Sequence, residues 1–209
     1  MSQPTTIGLP QPSSKGVISL EEAISQRRSV RRFAPGPISR LQLSQILQAA
    51  AGLNSPTSGR RTIPSAGATY PLEIFVVCGK NGVEGIDEGI YHYNMNGHSL
   101  TMHRKGDARL ELAGAALSQA FIYKAPVDIV ICAEYERTLR RYGSRGERYV
   151  YMEVGHAGQN IYLQAAALGL ATVAVGAFHD ERVSEVLHLE KQYRPLYIMP
   201  VGKPAGSGL

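Results

Sequence analysis

The stretch Arg27-Arg28-Ser29-Val30-Arg31-Arg32-Phe33 places four arginines and a serine within seven residues. Arginine carries a permanent charge, and its planar fork of N–H donors matches the oxygens of a phosphate two at a time. Arginines at a helix end also interact with the helix dipole, which contributes at most about 1 kcal/mol at a surface. The helix dipole is a sufficient explanation for one or two arginines. It explains less well a group of four arginines together with a serine. The stretch therefore favours a bound anion.

The positive charge of the chain is concentrated around this stretch. Residues 1–61 contain eight Lys and Arg against two acidic residues, a balance of +6, whereas residues 62–209 contain fourteen against fifteen, a balance of −1. A local excess favours one anion site over a surface that coats nucleic acid. The stretch also lacks interleaved aromatic residues that could stack on bases, so we expect no nucleic-acid partner. A non-enzymatic module that binds an anion or a nucleic acid through the basic third is an open alternative.

The composition is that of one globular domain. The chain has 209 residues, of which 44% are hydrophobic and 19% are charged, enough for a sizeable core. No apolar run approaches the roughly 18–20 residues that cross a bilayer, and residues 1–15 lack the apolar centre of a signal peptide. We therefore expect a cytoplasmic protein with no membrane partner. Cys78 and Cys132 each end an apolar run, which predicts buried free thiols, and no metal site is expected.

The pattern of caps and apolar residues predicts an α+β fold. Ser19 with Glu22 and Ser39 with Gln42 are capping boxes, which predict helices over 20–29 and up to Gly52. Residues 1–16 are predicted to be an extended arm, and residues 17–205 a single domain with one mainly antiparallel or mixed sheet surrounded by helices. The other predicted elements are strands over 72–78, 90–93, 100–103, 127–133, 171–175 and 196–201, helices over 108–120, 148–168 and 180–187, a long loop over 53–69 and an exposed charged excursion over 134–147.

Five motifs, in order along the chain, resemble those of the nitroreductase-like FMN flavoprotein superfamily. The arginine stretch resembles the opening motif. Residues 64–73, PSAGATYPLE, resemble the loop-to-strand motif of the SagB-type, thiazoline-oxidase-like dehydrogenase branch, and residues 153–160, EVGHAGQN, are similar to the central helix of that branch. Residues 175–178, VGAF, and 200–204, PVGKP, resemble its last two motifs. The resemblance covers about residues 20–204.

The resemblance implies the nitroreductase-like fold and an intertwined homodimer that binds two FMN molecules at its interface. Arg27, Arg28 and Ser29 would hold the FMN phosphate and ribityl chain, with Arg31 close by and Lys203 reaching the same phosphate. The backbone of Pro64, Ser65, Ala66 and Gly67 would pass along the isoalloxazine ring. Gly176 or Ala177 would donate a backbone N–H toward flavin N5. Small residues suit this loop because a flat ring needs backbone that can approach closely.

The function implied is that of an FMN-dependent oxidoreductase. Hydride would pass at flavin N5 between NAD(P)H or another donor and a small organic acceptor. No catalytic side chain is nominated, because the cofactor carries the chemistry. The alternatives are a dehydrogenase of azolines or other peptide-derived heterocycles, and a flavin-binding protein without turnover. Gly155 and Gly158 would lie on one face of the long helix, either at a crossing within the subunit or at the dimer interface. His156 is expected in the core, and the roles of Gln159, Tyr135 and Tyr142 stay open.

Overall fold

A seven-stranded antiparallel sheet forms the centre of the protein. The computed structural model describes residues 5–54 and 59–206. The strands are β1 (Thr6–Gly8), β2 (Leu72–Cys78), β3 (Gly89–Asn94), β4 (Ser99–Lys105), β5 (Val127–Glu134), β6 (Ala171–Thr172) and β7 (Tyr193–Gly202). Their order in the sheet is β1-β4-β3-β2-β5-β7-β6, and every pair of neighbours is antiparallel. The predicted α+β class with a mainly antiparallel sheet is confirmed.

Seven helices surround the sheet. They are α1 (Leu20–Gln26), α2 (Arg40–Ala51), α3 (Arg109–Ala115), α4 (Phe121–Lys124), α5 (Glu136–Tyr142), α6 (Gly146–Ala167) and α7 (Asp180–Leu187) in the described part of the chain. Both predicted capping boxes are present, at Ser19 with Glu22 and at Ser39 with Gln42. The first helix ends three residues before the predicted boundary, so the arginine stretch follows α1.

The sheet is buried on both faces. Helices α2 and α6 cover one face, where Ile74, Val76 and Ile131 point into the larger core. Helices α3, α4 and α7 cover the other face, where Phe75 and Val130 belong to a second apolar cluster. Strands β2 and β5 therefore bury side chains in both directions, which explains their uninterrupted apolar sequences. Cys78 and Cys132 are buried free thiols in these two strands, as predicted.

Other predicted segments also differ from the structure, among them the helix predicted over 108–120, which is α3 and ends at Ala115. The prediction of an exposed excursion over 134–147 is confirmed for most of its charged side chains but not for the whole segment. Helix α5 forms there, and Thr138 within it and Tyr135 just before it are buried, at 1% and 7% exposed. The predicted strand over 171–175 is short: β6 ends at Thr172, and Val175 forms a separate bridge to Ile198. The many charged residues of α5 gave no sequence signal for its one buried face.

None of the helices described is long and apolar enough to cross a membrane.

Candidate cofactor site

The arginine stretch lies between two segments from the C-terminal part of the chain, one at Thr172 and the other at Lys203. The N–H of Val30 donates to the carbonyl of Thr172, 2.9 Å away, and the N–H of Ala34 donates to the carbonyl of Lys203, 2.8 Å away. These bonds fix the stretch beside β6 on one side and beside the residues that follow β7 on the other. The backbone of Lys203 therefore lies next to the end of the arginine stretch, although the two are far apart in sequence.

A cavity of about 560 Å³ opens along this stretch. Its walls are residues 26–32, the C-terminal part of α6, residues 169–172 and residues 204–206. Arg27, Arg28, Ser29 and Arg31 all line it, whereas Lys203 is exposed beside its rim at Pro204. The four N-terminal residues predicted to bind phosphate therefore share one concave surface.

Tyr162 of α6 organises the back of the cavity. Its hydroxyl lies 2.8 Å from the Ser29 hydroxyl and accepts a 2.8 Å hydrogen bond from the N–H of Ala174. The guanidinium of Arg27 lies over its ring, 5.2 Å from the centroid, within the range of cation–π attraction. Tyr162 is not among the residues predicted from the sequence, because one tyrosine in a long helix gives no signal of its own.

The cations of this site have no counter-ion in the part of the chain that the structure describes. Across residues 5–54 and 59–206, no carboxylate forms an ion pair with Arg27, Arg28, Arg31, Arg32 or Lys203. Other arginines of the chain are paired, for example Arg104 with Glu111 and Arg109 with Asp107. Four arginines on the cavity wall and a lysine beside it, none in an ion pair with another described residue, produce a positive potential that attracts an anion. Thr172, at the cavity wall, also has a buried hydroxyl with no hydrogen-bond partner among the described residues.

The second predicted contact, at Gly176 and Ala177, lies further along the chain from the cavity wall at Thr172, and neither residue lines the cavity. Gly176 lies four positions after Thr172, a span on the order of 13 Å for extended chain. Gly176 is exposed and faces the ring of Tyr197, and its N–H makes no hydrogen bond within the described chain. The carbonyl of Ala177 accepts a 2.9 Å hydrogen bond from the Gln119 amide, which orients this turn. The Gly176 N–H is thus a donor that has no acceptor among the described residues.

The loop Pro64–Gly67 lies elsewhere on the same subunit. It does not line the arginine cavity. Ser65 interacts with Glu153 of α6, and Glu153 precedes Tyr162 by nine residues, which is about 13 Å along a helix. Within one subunit, this loop and the arginine cavity therefore lie beside different parts of α6.

The backbone of this loop is held in an unusual conformation. Gly67, Ala68 and Tyr70 have positive φ angles of 58°, 54° and 45°. The left-handed region costs a residue with a side chain roughly 1–2 kcal/mol, so Ala68 and Tyr70 need external support. The N–H of Tyr70 donates to the Ser65 hydroxyl at 2.9 Å, and the hydroxyl of Thr69 lies 2.8 Å from that of Thr138.

Helix α5 covers the loop and is itself fastened to the sheet. Arg141 donates a 3.0 Å hydrogen bond to the carbonyl of Gly67. At the start of α5, Arg137 forms 2.6 Å ion pairs with Glu73 and Glu134. Burial disfavours the charge of Glu73, but hydrogen bonds from His92 and Arg137 outweigh it and lower the pKa of that carboxyl. The segment predicted as a charged excursion is therefore a helix that is attached to the sheet and packs beside the loop.

The polar residues of α6 divide between two environments. Asn160 donates a 3.0 Å hydrogen bond to the carbonyl of Ala49 and thus joins α6 to α2. His156 and Gln159 are exposed, so the expectation that His156 is a core residue is wrong. Gly158 faces Tyr197 inside the subunit, whereas a side chain at Gly155 would meet nothing within 4 Å. The two glycines therefore do not take part in the same helix contact: Gly158 packs inside the subunit, and Gly155 is open.

Known proteins resemble this chain over most of its length. The model of the nitroreductase family matches residues 24–203. A protein of Methanocaldococcus jannaschii that is named as a nitroreductase is 50% identical over 186 residues, which are 89% of this chain and 91% of that protein.

Two solved structures share the fold. A nitroreductase-like protein of Ralstonia eutropha superposes with a TM-score of 0.83 at 28% identity, over 96% of this chain and 90% of that one. A chain of the Escherichia coli microcin synthetase complex, solved with a truncated precursor peptide bound, gives a TM-score of 0.75 at 25% identity, over 95% and 78% of the two chains. With the family model matching most of its length, this chain belongs to the nitroreductase family.

Proposed function

We propose that the protein is an FMN-dependent oxidoreductase. The observation that carries this proposal is the cavity lined by Arg27, Arg28, Ser29 and Arg31, whose cations have no counter-ion in the described chain. A dianionic phosphate needs several charge-assisted donors, and this set supplies them together with a hydroxyl. The residues present therefore fit the phosphate end of FMN.

Each part of the site has a role toward the cofactor. Arg27, Arg28 and Ser29 would hold the phosphate and ribityl chain, and Arg31 and Lys203 would add charge at its rim. The free N–H of Gly176 or that of Ala177 would donate toward the ring at N5. When bound, FMN supplies hydride transfer at N5 between NAD(P)H or another donor and a small organic acceptor.

The loop Pro64–Gly67 would reach the ring of a flavin held by a second copy of the chain. The loop does not line the arginine cavity of its own chain, and the intertwined homodimer implied by the resemblance would place the loop of one copy against the flavin of the other. The outer face of α6 is free for such a partner: Tyr151 and Met152 are 57% and 53% exposed, and Gly155 is open. Exposed apolar side chains next to an open glycine suit close helix packing between subunits.

A second candidate function is the dehydrogenation of azolines or other peptide-derived heterocycles. The similarity to a chain of a microcin synthetase complex solved with a precursor peptide supports this alternative. Anaerobic mixing with NADH or NADPH separates the two functions. Loss of the visible flavin absorbance favours the nicotinamide-driven reductase, and a bound flavin that neither nucleotide bleaches favours the dehydrogenase. A flavin that is neither reduced nor reoxidised by any substrate would leave a binding protein without turnover.

The phosphate assignment is tested by comparing FMN with riboflavin, which lacks the phosphate. Arg28→Ala should weaken FMN binding by about tenfold or more, because a hydrogen bond to a charged group contributes about 1.5–3 kcal/mol. Riboflavin binding should change little. Flavin fluorescence quenching on titration into the purified protein measures both affinities.

The matched control is Arg182→Ala, an exposed arginine on α7 that does not line the cavity. It should leave both affinities unchanged. A colourless wild-type protein that takes up no added FMN would refute the cofactor. Equal FMN affinities for wild type and Arg28→Ala would remove the phosphate assignment while leaving a flavin protein.

A further inference from the structure

Tyr70 has a backbone conformation that depends on support from other residues. Its φ angle of 45° lies in the left-handed region, which bulky side chains rarely adopt. Such a conformation is costly and persists only where surrounding contacts fix it. Tyr70 lies three positions after Gly67 and two positions before β2 begins. Its backbone therefore sets the direction in which the Pro64–Gly67 loop leaves the sheet.

Three side chains contact Tyr70 and support this conformation. The Ser65 hydroxyl accepts the N–H of Tyr70 at 2.9 Å, which closes the loop on itself. The guanidinium of Arg61 lies 5.2 Å from the centroid of the Tyr70 ring. Arg137 donates a 3.0 Å hydrogen bond to the Tyr70 carbonyl. Ser65 and Arg61 belong to the same segment between α2 and β2 as Tyr70, whereas Arg137 belongs to α5 and holds the backbone from outside that segment.

Arg137 is itself fixed by two carboxylates of the sheet. Its Nη2 lies 2.6 Å from Glu73 Oε1, and its Nε lies 2.6 Å from Glu134 Oε2. Glu73 belongs to β2 and Glu134 ends β5, and these two strands are antiparallel neighbours. The second oxygen of Glu73 lies 2.7 Å from Nε2 of His92 in β3. One guanidinium therefore bonds to two strands and to the Tyr70 carbonyl at the same time.

Helix α5 makes two further contacts with this part of the chain. The hydroxyl of Thr138 lies 2.8 Å from that of Thr69, and Arg141 donates a 3.0 Å hydrogen bond to the carbonyl of Gly67. Arg141 lies four positions after Arg137, so the two arginines share one face of the helix. Of these three residues of α5, Arg137 is the one that also forms ion pairs with strand residues in the described chain. Arg137 therefore links the sheet to the loop.

We propose that Arg137 is a positioning residue that fixes the backbone of Tyr70 to β2 and β5 and thereby keeps the Pro64–Gly67 loop in the shape that receives a flavin ring. The role toward the ring rests on the proposed function. The hold on Tyr70 is a property of the protein without cofactor. Arginine suits this role because its planar fork of donors reaches several acceptors at once, whereas the ammonium of lysine is a single point charge.

Hydrogen exchange of the FMN-free protein tests the hold on Tyr70. The amides of Ala68, Thr69 and Tyr70 all donate to acceptors within the loop. In Arg137→Gln they should exchange about tenfold faster than in the wild type, as expected when a hydrogen bond from a charged group is lost. The amides of the ladder between β2 and β5 should keep their wild-type protection. A general loss of stability would instead speed exchange in both sets of amides.

The matched control is Arg140→Gln, which removes an exposed arginine from the same helix. Its ion pair in the described chain, with the exposed Glu136, is 4.0 Å long, so this variant should behave as wild type. Arg137→Lys provides a second route should Arg137→Gln not fold, because it keeps a positive charge beside the two glutamates without the fork. The loop amides should again exchange faster than the ladder amides. Wild-type exchange of the loop amides in the folded variant, or equal acceleration of both sets, would overturn the proposal.

Flavin titration separates this proposal from the cofactor assignment. Because the loop is assigned to the ring, Arg137→Gln should weaken the binding of FMN and of riboflavin by the same factor, about fivefold to tenfold. Arg28→Ala should weaken FMN binding alone. Faster loop exchange with unchanged affinity for both flavins overturns the role toward the ring and leaves a flavin protein. A wild type that binds neither flavin, with loop amides that respond to Arg137→Gln, supports the hold on Tyr70 and refutes the proposed function.

Discussion

At the scale of single residues, the conformation of Gly67 shows why the loop sequence is built from small side chains. Its φ of 58° lies in the left-handed region, and a Cβ there would come 2.5 Å from the Tyr142 hydroxyl and 2.9 Å from the Arg141 guanidinium carbon. Both the backbone and the space thus require glycine. The close approach also explains how α5 can cover the loop.

We expect Gly67→Ala to destabilise the protein by about 1 kcal/mol or more, from the left-handed backbone and the displacement of α5. Urea unfolding measures this loss. Gly114→Ala is the matched control, because a Cβ at Gly114 in α3 would meet nothing within 4 Å. It should be neutral or stabilising by about 0.5–1 kcal/mol. Equal stabilities of the two variants would contradict the close contact.

At the scale of elements, the N-terminal arm is attached to the domain through both its backbone and a polar relay. Strand β1 pairs with β4, and the carbonyl of Pro10 accepts a 2.6 Å hydrogen bond from the buried Ser44 hydroxyl. His98 Nε2 lies 2.7 Å from that hydroxyl, and His98 Nδ1 lies 2.8 Å from the Tyr93 hydroxyl. A neutral imidazole with its proton on Nε2 satisfies every bond of this relay. Serine and histidine here hold an arm; they do not form a nucleophilic site.

Acidification should loosen this arm. Burial lowers the pKa of His98, against the opposing hydrogen bond to Pro10. The unfolded chain therefore binds the proton more readily, so the stabilisation is present above the unfolded pKa of about 6.5 and is lost as the pH falls below it. The Leu9 amide, which donates to the carbonyl of His98, should exchange faster at pH 5 than at pH 7.5 after correction for intrinsic rates.

Ser44→Ala should give fast exchange of the Leu9 amide at both pH values, since it removes the link to Pro10. Ser184→Ala, which removes a hydroxyl bonded only within α7, is the control and should resemble the wild type. If Leu9 protection is the same at the two pH values in wild type, His98 does not govern the arm.

At the scale of the whole molecule, the separation of the two half-sites leads to a prediction about assembly. We expect a homodimer in solution, and Met152→Glu should weaken it, because a charge would be buried on the apolar outer face of α6. Size-exclusion chromatography with light scattering measures the mass. FMN affinity should fall together with the dimer, since the loop Pro64–Gly67 would come from the second copy.

Leu110→Glu is the matched control for this experiment. Leu110 is 69% exposed on α3, on the opposite face of the sheet from α6. Its replacement should alter neither mass nor flavin affinity. A wild-type protein that is monomeric and binds FMN with full affinity would rule out a site completed by a second subunit.

Local signals made the main elements predictable. The capping boxes at Ser19 and Ser39 fix where α1 and α2 begin, because the side chains that satisfy the free amides of a helix lie within four residues of them. The apolar runs at 72–78 and 127–133 also predict the central strands from local sequence, because a strand that is buried on both faces has an uninterrupted apolar sequence. Burial of α5 was not predictable, since one buried face in a charged segment depends on what packs against it.

The sequence alone determined the fold class, the local concentration of positive charge and the candidate residues for a phosphate, because each depends on residue type and order. Only the tertiary structure decided which candidates meet. It placed Arg27–Arg32 against Thr172 and Lys203, added Tyr162 to the site and set the Pro64–Gly67 loop beside Glu153. These contacts join residues that are tens to more than a hundred positions apart. Their geometry is fixed by packing across the sheet, which no local pattern encodes.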